Sequence, residues 1–193
     1  LLKNHFKFIF DNYVIEIFNK LNAHVNKFII VPLLGFAVLG NFSFAIQAVS
    51  LGLIFTVIVF KYIVPNDAQG KKNKKLKIIT LLISIVFSCL IFFVSPTIIT
   101  LFFEEYIEAV DAIRIISFSI IPMTITRIFT SEFLGQEKSK RILYSKIISF
   151  VIFIVTIIIL GPSYGIIGIS IGHLLSTIVE SLLLIPKLSK TKN

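Results

Sequence analysis

Charge is scarce in this chain, and the stretches without it are long. Only 15% of the 193 residues are Asp, Glu, Lys or Arg, against about a quarter in an ordinary soluble domain. The run 78–102 contains no charged side chain at all. There is one cysteine, Cys89, inside that run, so an internal disulfide is excluded and the residue reads as a small core side chain. No Ser/His/Asp order, HExxH, Walker loop or metal-ligand spacing occurs. An enzyme is therefore not expected, and neither is a pump that hydrolyses ATP within this chain. No basic head and small-residue cleavage site follow Leu1, and the chain reads as a fragment of a longer protein.

What is present is apolar. Hydrophobic residues make up 56% of the chain and the mean hydropathy is +0.96. The net charge of +9 does not point to nucleic acid, because the bases cluster at the ends of apolar segments instead of along one polar face. Lys71, Lys72, Lys74, Lys75 and Lys77 crowd one loop. Lys138, Lys140, Arg141 and Lys146 crowd another, and Lys187, Lys190 and Lys192 lie in the tail. The intervening connections carry acids (Glu104, Glu105, Glu108, Asp111) or turn residues (Gly161, Pro162, Ser163). Alternation of this kind is the positive-inside pattern of a multi-pass membrane protein.

A crossing helix needs about 20 apolar residues. On that measure the chain is expected to be an all-α integral membrane protein, a single six-helix bundle over residues 1–193. Its helices fall near 8–36, 42–64, 76–102, 110–134, 142–160 and 166–186. Basic loops at 65–77 and 135–141 and the tail at 187–193 then share the cytoplasmic face of the inner membrane. Lys3 and Lys7 put the start of the segment on the same side, so both ends are cytoplasmic. Pro96, late in the third span, marks a kink.

Residues 12–27 are too polar to face lipid on all sides. Asn12, Glu16, Asn19, Lys20, Asn22, His24, Asn26 and Lys27 fill about half of a helical wheel, and Val14, Ile17, Phe18, Leu21 and Val25 fill the other. Such a helix either lies on the membrane surface or stands upright with its polar half against water. Because the stripe runs directly into the apolar stretch from Phe28 to Leu39, the upright placement is preferred. Glu16 and Lys20 are spaced i,i+4 and can neutralise each other; Lys20 and Lys27 can also snorkel to an interface. Arg114 and Arg127 share one span, about 20 Å apart along a helix axis. Each could be held in an ion pair, Arg114 by Asp111 or Glu108 and Arg127 by Glu132. His24 could carry a proton. Glu180 is the lone acid of the last span and needs a partner there. Gly165, Gly168 and Gly172 favour close helix packing, with His173 a packing residue beside them.

The stretch Leu101-Phe102-Phe103-Glu104-Glu105-Tyr106-Ile107-Glu108-Ala109-Val110, followed by Ile113-Arg114-Ile115-Ile116-Ser117, resembles the polysaccharide flippases of the multidrug/oligosaccharidyl-lipid/polysaccharide (MOP, MATE-like) superfamily. Glu104 stands where that family usually has glycine. Gly135-Gln136-Glu137-Lys138 is similar to the family's short cytoplasmic loop, and Tyr164-Gly165-Ile166-Ile167-Gly168 to its turn into the next helix. Near the start, Asn26-Lys27-Phe28-Ile29-Ile30 and Leu39-Gly40-Asn41-Phe42 resemble one of its helix junctions. The resemblance implies the C-terminal half of a twelve-to-fourteen-helix flippase that exports O-antigen, lipopolysaccharide or similar lipid-linked oligosaccharides by alternating access.

It further implies a cavity lined by Glu16, Lys20, His24, Lys27 and Arg127 that accepts an anionic diphosphate-sugar head group. Arg suits phosphate because its fork donates two hydrogen bonds in fixed geometry. No cofactor or metal is expected beyond H+ or Na+ coupling. Expected partners are the lipid-linked oligosaccharide, membrane lipids, a missing N-terminal bundle, and glycan polymerases or glycosyltransferases. A drug/cation antiporter of the same superfamily would prefer acidic cavity residues, whereas the deep charges here lean basic. A non-transport membrane scaffold for glycan synthesis would need no polar stripe.

Overall fold

Backbone polar groups in a bilayer can be satisfied only within the protein, so apolar runs of this length close their hydrogen bonds as helices. The computed structural model describes residues 2–68, 74–136 and 139–186; within the first helix it describes side chains 13–17, 27–63, 65 and 66. Those residues are helical almost throughout, with no strand among them. Helix α1 spans Leu2–Ala68, α2 Lys74–Phe102, α3 Ala109–Ser117, α4 Ile120–Gly135 and α5 Ser139–Leu184; a 3-10 turn at Glu104–Tyr106 joins α2 to α3. Three helices are long and apolar enough to cross a membrane: Lys27–Ile63 within α1, α2 and α5. The pair α3 and α4, bent by 42°, is a fourth candidate.

α1 and α5 are not straight rods. In α5, Arg141 Nη2 donates to the Ile185 carbonyl at 2.7 Å and Lys146 meets Glu180 at 3.2 Å. Gly172 faces the side chain of Thr156, and Gly168 lies against the Leu160 backbone. Residues 141 and 185 would stand about 66 Å apart on one straight helix. The pairs instead converge on residues 163–164, next to Gly165, whose φ of 55° lies in the left-handed region that glycine enters without penalty. α1 has the same device at Gly35, φ 84°. Ile15 packs with Phe133 of α4, while Ile63 lines a pocket with Ser131 of the same helix. Both legs of α1 thus return to the same end of α4. The sequence suggests turns several residues long, Gly35–Asn41 and Gly161–Gly165, but the helix continues on both sides of each glycine. One left-handed residue leaves fewer backbone groups unbonded than an open loop, which matters where no water can replace them.

The bundle's two ends differ in chemistry. At one lie the starts of α2 and α5 with Lys77, Arg141 and Lys146. At the other, Asn41 donates to Glu108 at 3.2 Å and Phe44 stacks on Tyr106 at 4.2 Å. Helix α3 forms the centre, with Ala109, Ala112, Ile113 and Ile116 fully buried. α2 is apolar on the outside and hydroxylic within: Thr80, Ser84, Ser88 and Ser95 are buried while Ile78, Leu82, Val86 and Leu90 are exposed. This inversion suits a lipid-facing helix, because small hydroxyl residues let backbones approach and bond across helices. Ser88 Oγ, for instance, donates to the Ser117 carbonyl at 2.9 Å, satisfying the chain where α3 breaks into α4.

The Lys146–Glu180 pair, with side chains 18% and 16% exposed, is the partner Glu180 required. It ties the two legs of α5 together. A double-mutant cycle with Lys146→Met and Glu180→Gln, read by thermal unfolding in detergent, should give a coupling energy on the order of 0.5–3 kcal/mol. Additive single effects would show that the pair holds nothing.

Candidate functional site

Helix α4 brings the polar groups of the bundle to one place. Its sequence puts Thr126 and Thr130 on one stripe at i,i+4 and Arg127 and Ser131 on the next. Arg127 and Ser131 line a small pocket with Thr56 of α1 and Thr80 of α2. Thr56 and Thr124 hydroxyls meet at 3.4 Å just beyond it and hold α1 against α4. The pocket itself, at about 10 Å³ and walled also by Val59, Phe60, Ile63 and Ile128, has room for roughly one water molecule, so it is a narrow seam of mixed character and not a cargo chamber.

The ionisable groups around this seam sort themselves by partner. Glu132, the candidate partner of Arg127, is taken by Lys77 at 2.7 Å, and this corrects the expected Arg127–Glu132 pair. The physical reason is helical direction: residues 127 and 132 are five apart, well over a full turn, and do not share a face. Arg114 sits 3.8 Å from Asp111 and 5.5 Å above the Phe92 ring. Arg141 caps the last helix through the Leu183 and Ile185 carbonyls and lies 4.9 Å over Phe133. Arg127 alone among the described arginines has no ion pair, hydrogen bond or ring contact. Nearby, Thr126 Oγ1 and Thr130 Oγ1 are buried with no hydrogen-bond partner.

The other candidates are placed less closely together. Glu16 and Lys27 are both exposed on α1, about 16 Å apart along its axis. The side chains of Lys20 and His24, like Lys71, Lys72, Lys138 and the C-terminal lysines, lie outside the described residues. His173 packs edge-on against Phe42 and Phe153, with ring centres 6.3 and 6.0 Å away. Sequence reading missed Thr126 and Thr130. Their i,i+4 spacing inside an apolar span was the available signal, but threonine bonds its own helix so often that it stands out only once its neighbours are known. No cluster of metal-ligating side chains occurs among the described residues.

An apolar multi-pass bundle with an unpartnered arginine and idle hydroxyls at depth suits movement of a charged group through a membrane, with no bond to be made or broken. The family model of the lipid II flippase MurJ matches residues 41–193, most of the chain. No curated protein and no solved structure matches. The resemblance carried by the Leu-Phe-Phe-Glu-Glu-Tyr turn therefore holds for a lipid-linked flippase of this superfamily, while the O-antigen, polysaccharide and lipopolysaccharide specifics find no support in the matched family. By this match across most of its length, the chain belongs to the lipid II flippase family, multi-pass membrane transporters of a lipid-linked substrate and not enzymes.

Proposed function

We propose that this chain is the C-terminal bundle of a flippase that carries lipid II, the lipid-linked precursor of peptidoglycan, from the cytoplasmic to the outer leaflet. Six crossings follow if each leg of α1 and α5, α2 and the bent pair α3–α4 span the bilayer. The end carrying Lys77, Arg141 and Lys146 then faces the cytoplasm with both termini, as the positive-inside rule requires. An N-terminal bundle completes the cavity, and the enzymes that assemble the cargo are partners on the cytoplasmic side. Alternating access needs only two states that differ in which side the cavity faces, biased by an H+ or Na+ gradient.

The observation that carries this reading is Arg127: a guanidinium without a partner in a spanning helix, beside unsatisfied hydroxyls. An uncompensated charge at such depth is costly unless an anion visits it, and a diphosphate is the anion the cargo supplies. Glu16 and Lys27, exposed on α1, are the groups this proposal assigns to the α1 side of the passage, and Lys20 and His24 join them by their place in the sequence alone. A cation antiporter would need an idle carboxylate at depth, whereas Glu132 and Glu180 are held by Lys77 and Lys146.

The test is reconstitution of the natural full-length protein in vesicles with labelled lipid II and a membrane-impermeant reagent outside. Labelled cargo should become accessible in a protein-dependent manner. Accessibility that never changes, or movement of an O-antigen-type lipid with lipid II left behind, would overturn the assignment.

A further inference from the structure

A second feature lies between α1 and α2, toward the acidic end. The second leg of α1 and α2 touch at Gly52, where a β-carbon would come within 2.8 Å of Ile91 Cδ1 and 3.1 Å of Ile120 Cδ1. Beyond that contact they part, leaving a cleft of about 480 Å³ whose floor includes the fully buried Ile113 of α3. The volume falls within the roughly 300–1,000 Å³ usual for ligand sites. The cleft follows α2 from Phe87 to Ile99, about 18 Å at 1.5 Å per residue, more than half of a hydrocarbon core about 30 Å thick.

Its walls decide what can enter. Of the lining side chains only Gln47 and Ser95 are polar, and the rim residues Leu51, Leu90 and Val94 are apolar and exposed. Ser95 is 8% exposed, and its Oγ has no hydrogen-bond partner, so the protein has not closed on itself here. An open apolar cleft at membrane depth is filled by hydrocarbon, since water gains nothing there. At its outer limit stands Phe103, tilted against Phe44 at 5.4 Å, and immediately after it come Glu104 and Glu105. Both carboxylates are exposed, and neither has a partner among the described residues, whereas Glu108 is bonded by Asn41 and Asp111 lies near Arg114.

From this juxtaposition we infer that the cleft holds an acyl chain of a bilayer phospholipid with an amine-bearing headgroup, its ammonium lying against Glu104 and Glu105. An anionic phospholipid would bring its charge to those same carboxylates. So would the tail of a diphosphate-linked cargo entering from this end, while Arg127 lies toward the opposite one. The site is a resident-lipid site, separate from the transport passage, and stands whether or not lipid II is the cargo.

The chain contains no tryptophan, so a single one reports locally. Val94→Trp, with Leu90→Trp as a second position, is placed in the natural full-length protein and read as the difference from its parent. The vesicles are mixtures of phosphatidylethanolamine and phosphatidylglycerol, with bromine on the chains of one lipid or the other as quencher. Brominated phosphatidylethanolamine should be preferred at these positions by about fivefold, the ratio that one elementary charge near a membrane surface produces. Ile159→Trp, on the exposed side of α5, should be quenched equally by both. Glu104→Lys with Glu105→Lys should reverse the preference at position 94. Equal quenching there by both lipids would overturn the inference. Absence of quenching by either would do so in favour of a protein segment over the cleft, and relief of quenching by added cargo in favour of the cargo's own tail.

Discussion

Replacing Arg127 with alanine is expected to lower the transport rate of the natural protein by roughly tenfold to a hundredfold, since a hydrogen bond to a charged group contributes about 1.5–3 kcal/mol. Arg127→Lys should fall between, because a lysine keeps the charge and loses the two-pronged donor geometry that fits phosphate. The discriminating readout is stability. Arg127 has no protein partner to lose, so the alanine variant should insert and unfold at the parental temperature or above it, a desolvated charge having been removed. Parental transport by the alanine variant would sink the cavity assignment. Lost transport with equally lost stability would make Arg127 a packing residue.

The second large effect concerns the hairpin in α5. A β-carbon at Gly168 would run into the carbonyl oxygen and carbon of Leu160, and backbone cannot move aside as a side chain can. Gly168→Ala should therefore destabilise by about 1–3 kcal/mol or more, and Gly168→Val should prevent assembly. Gly172→Ala should cost less, because its obstacle at 2.9 Å is the Thr156 methyl. Gly40→Ala, with nothing within 4 Å, should be neutral or stabilising by up to about 1 kcal/mol, as expected for a glycine in a helix. The order Gly168, Gly172, Gly40 in thermal unfolding checks the packing. Equal effects at all three would show that the two legs do not meet at Leu160.

Much of this architecture is legible in the chain because lipid simplifies the problem. A charge-free run such as 78–102 has few alternatives to a helix when every backbone group must be bonded internally. Glu180 could likewise be read as a buried acid in need of a partner. Its partner could not be read, since Lys146 lies 34 residues away and becomes a neighbour only through the reversal at Gly165. Glu132 illustrates the converse: its nearest arginine in sequence is Arg127, yet Lys77, 55 residues distant, reaches it first. Ion pairs at depth follow helix packing, and packing is a property of several segments together.

Hydropathy and charge alternation sufficed for an all-helical membrane protein and for the expectation that its bases gather at one end, because each follows from the free energy of transferring one segment between water and lipid. It took the packing of separate helices to leave Arg127 without a counter-ion, Thr126 and Thr130 idle near it, and an apolar cleft beyond Gly52 beside two uncompensated carboxylates. Those outcomes depend on which surfaces meet between segments far apart in the chain, and the transfer energy of a single segment carries no information about its neighbours.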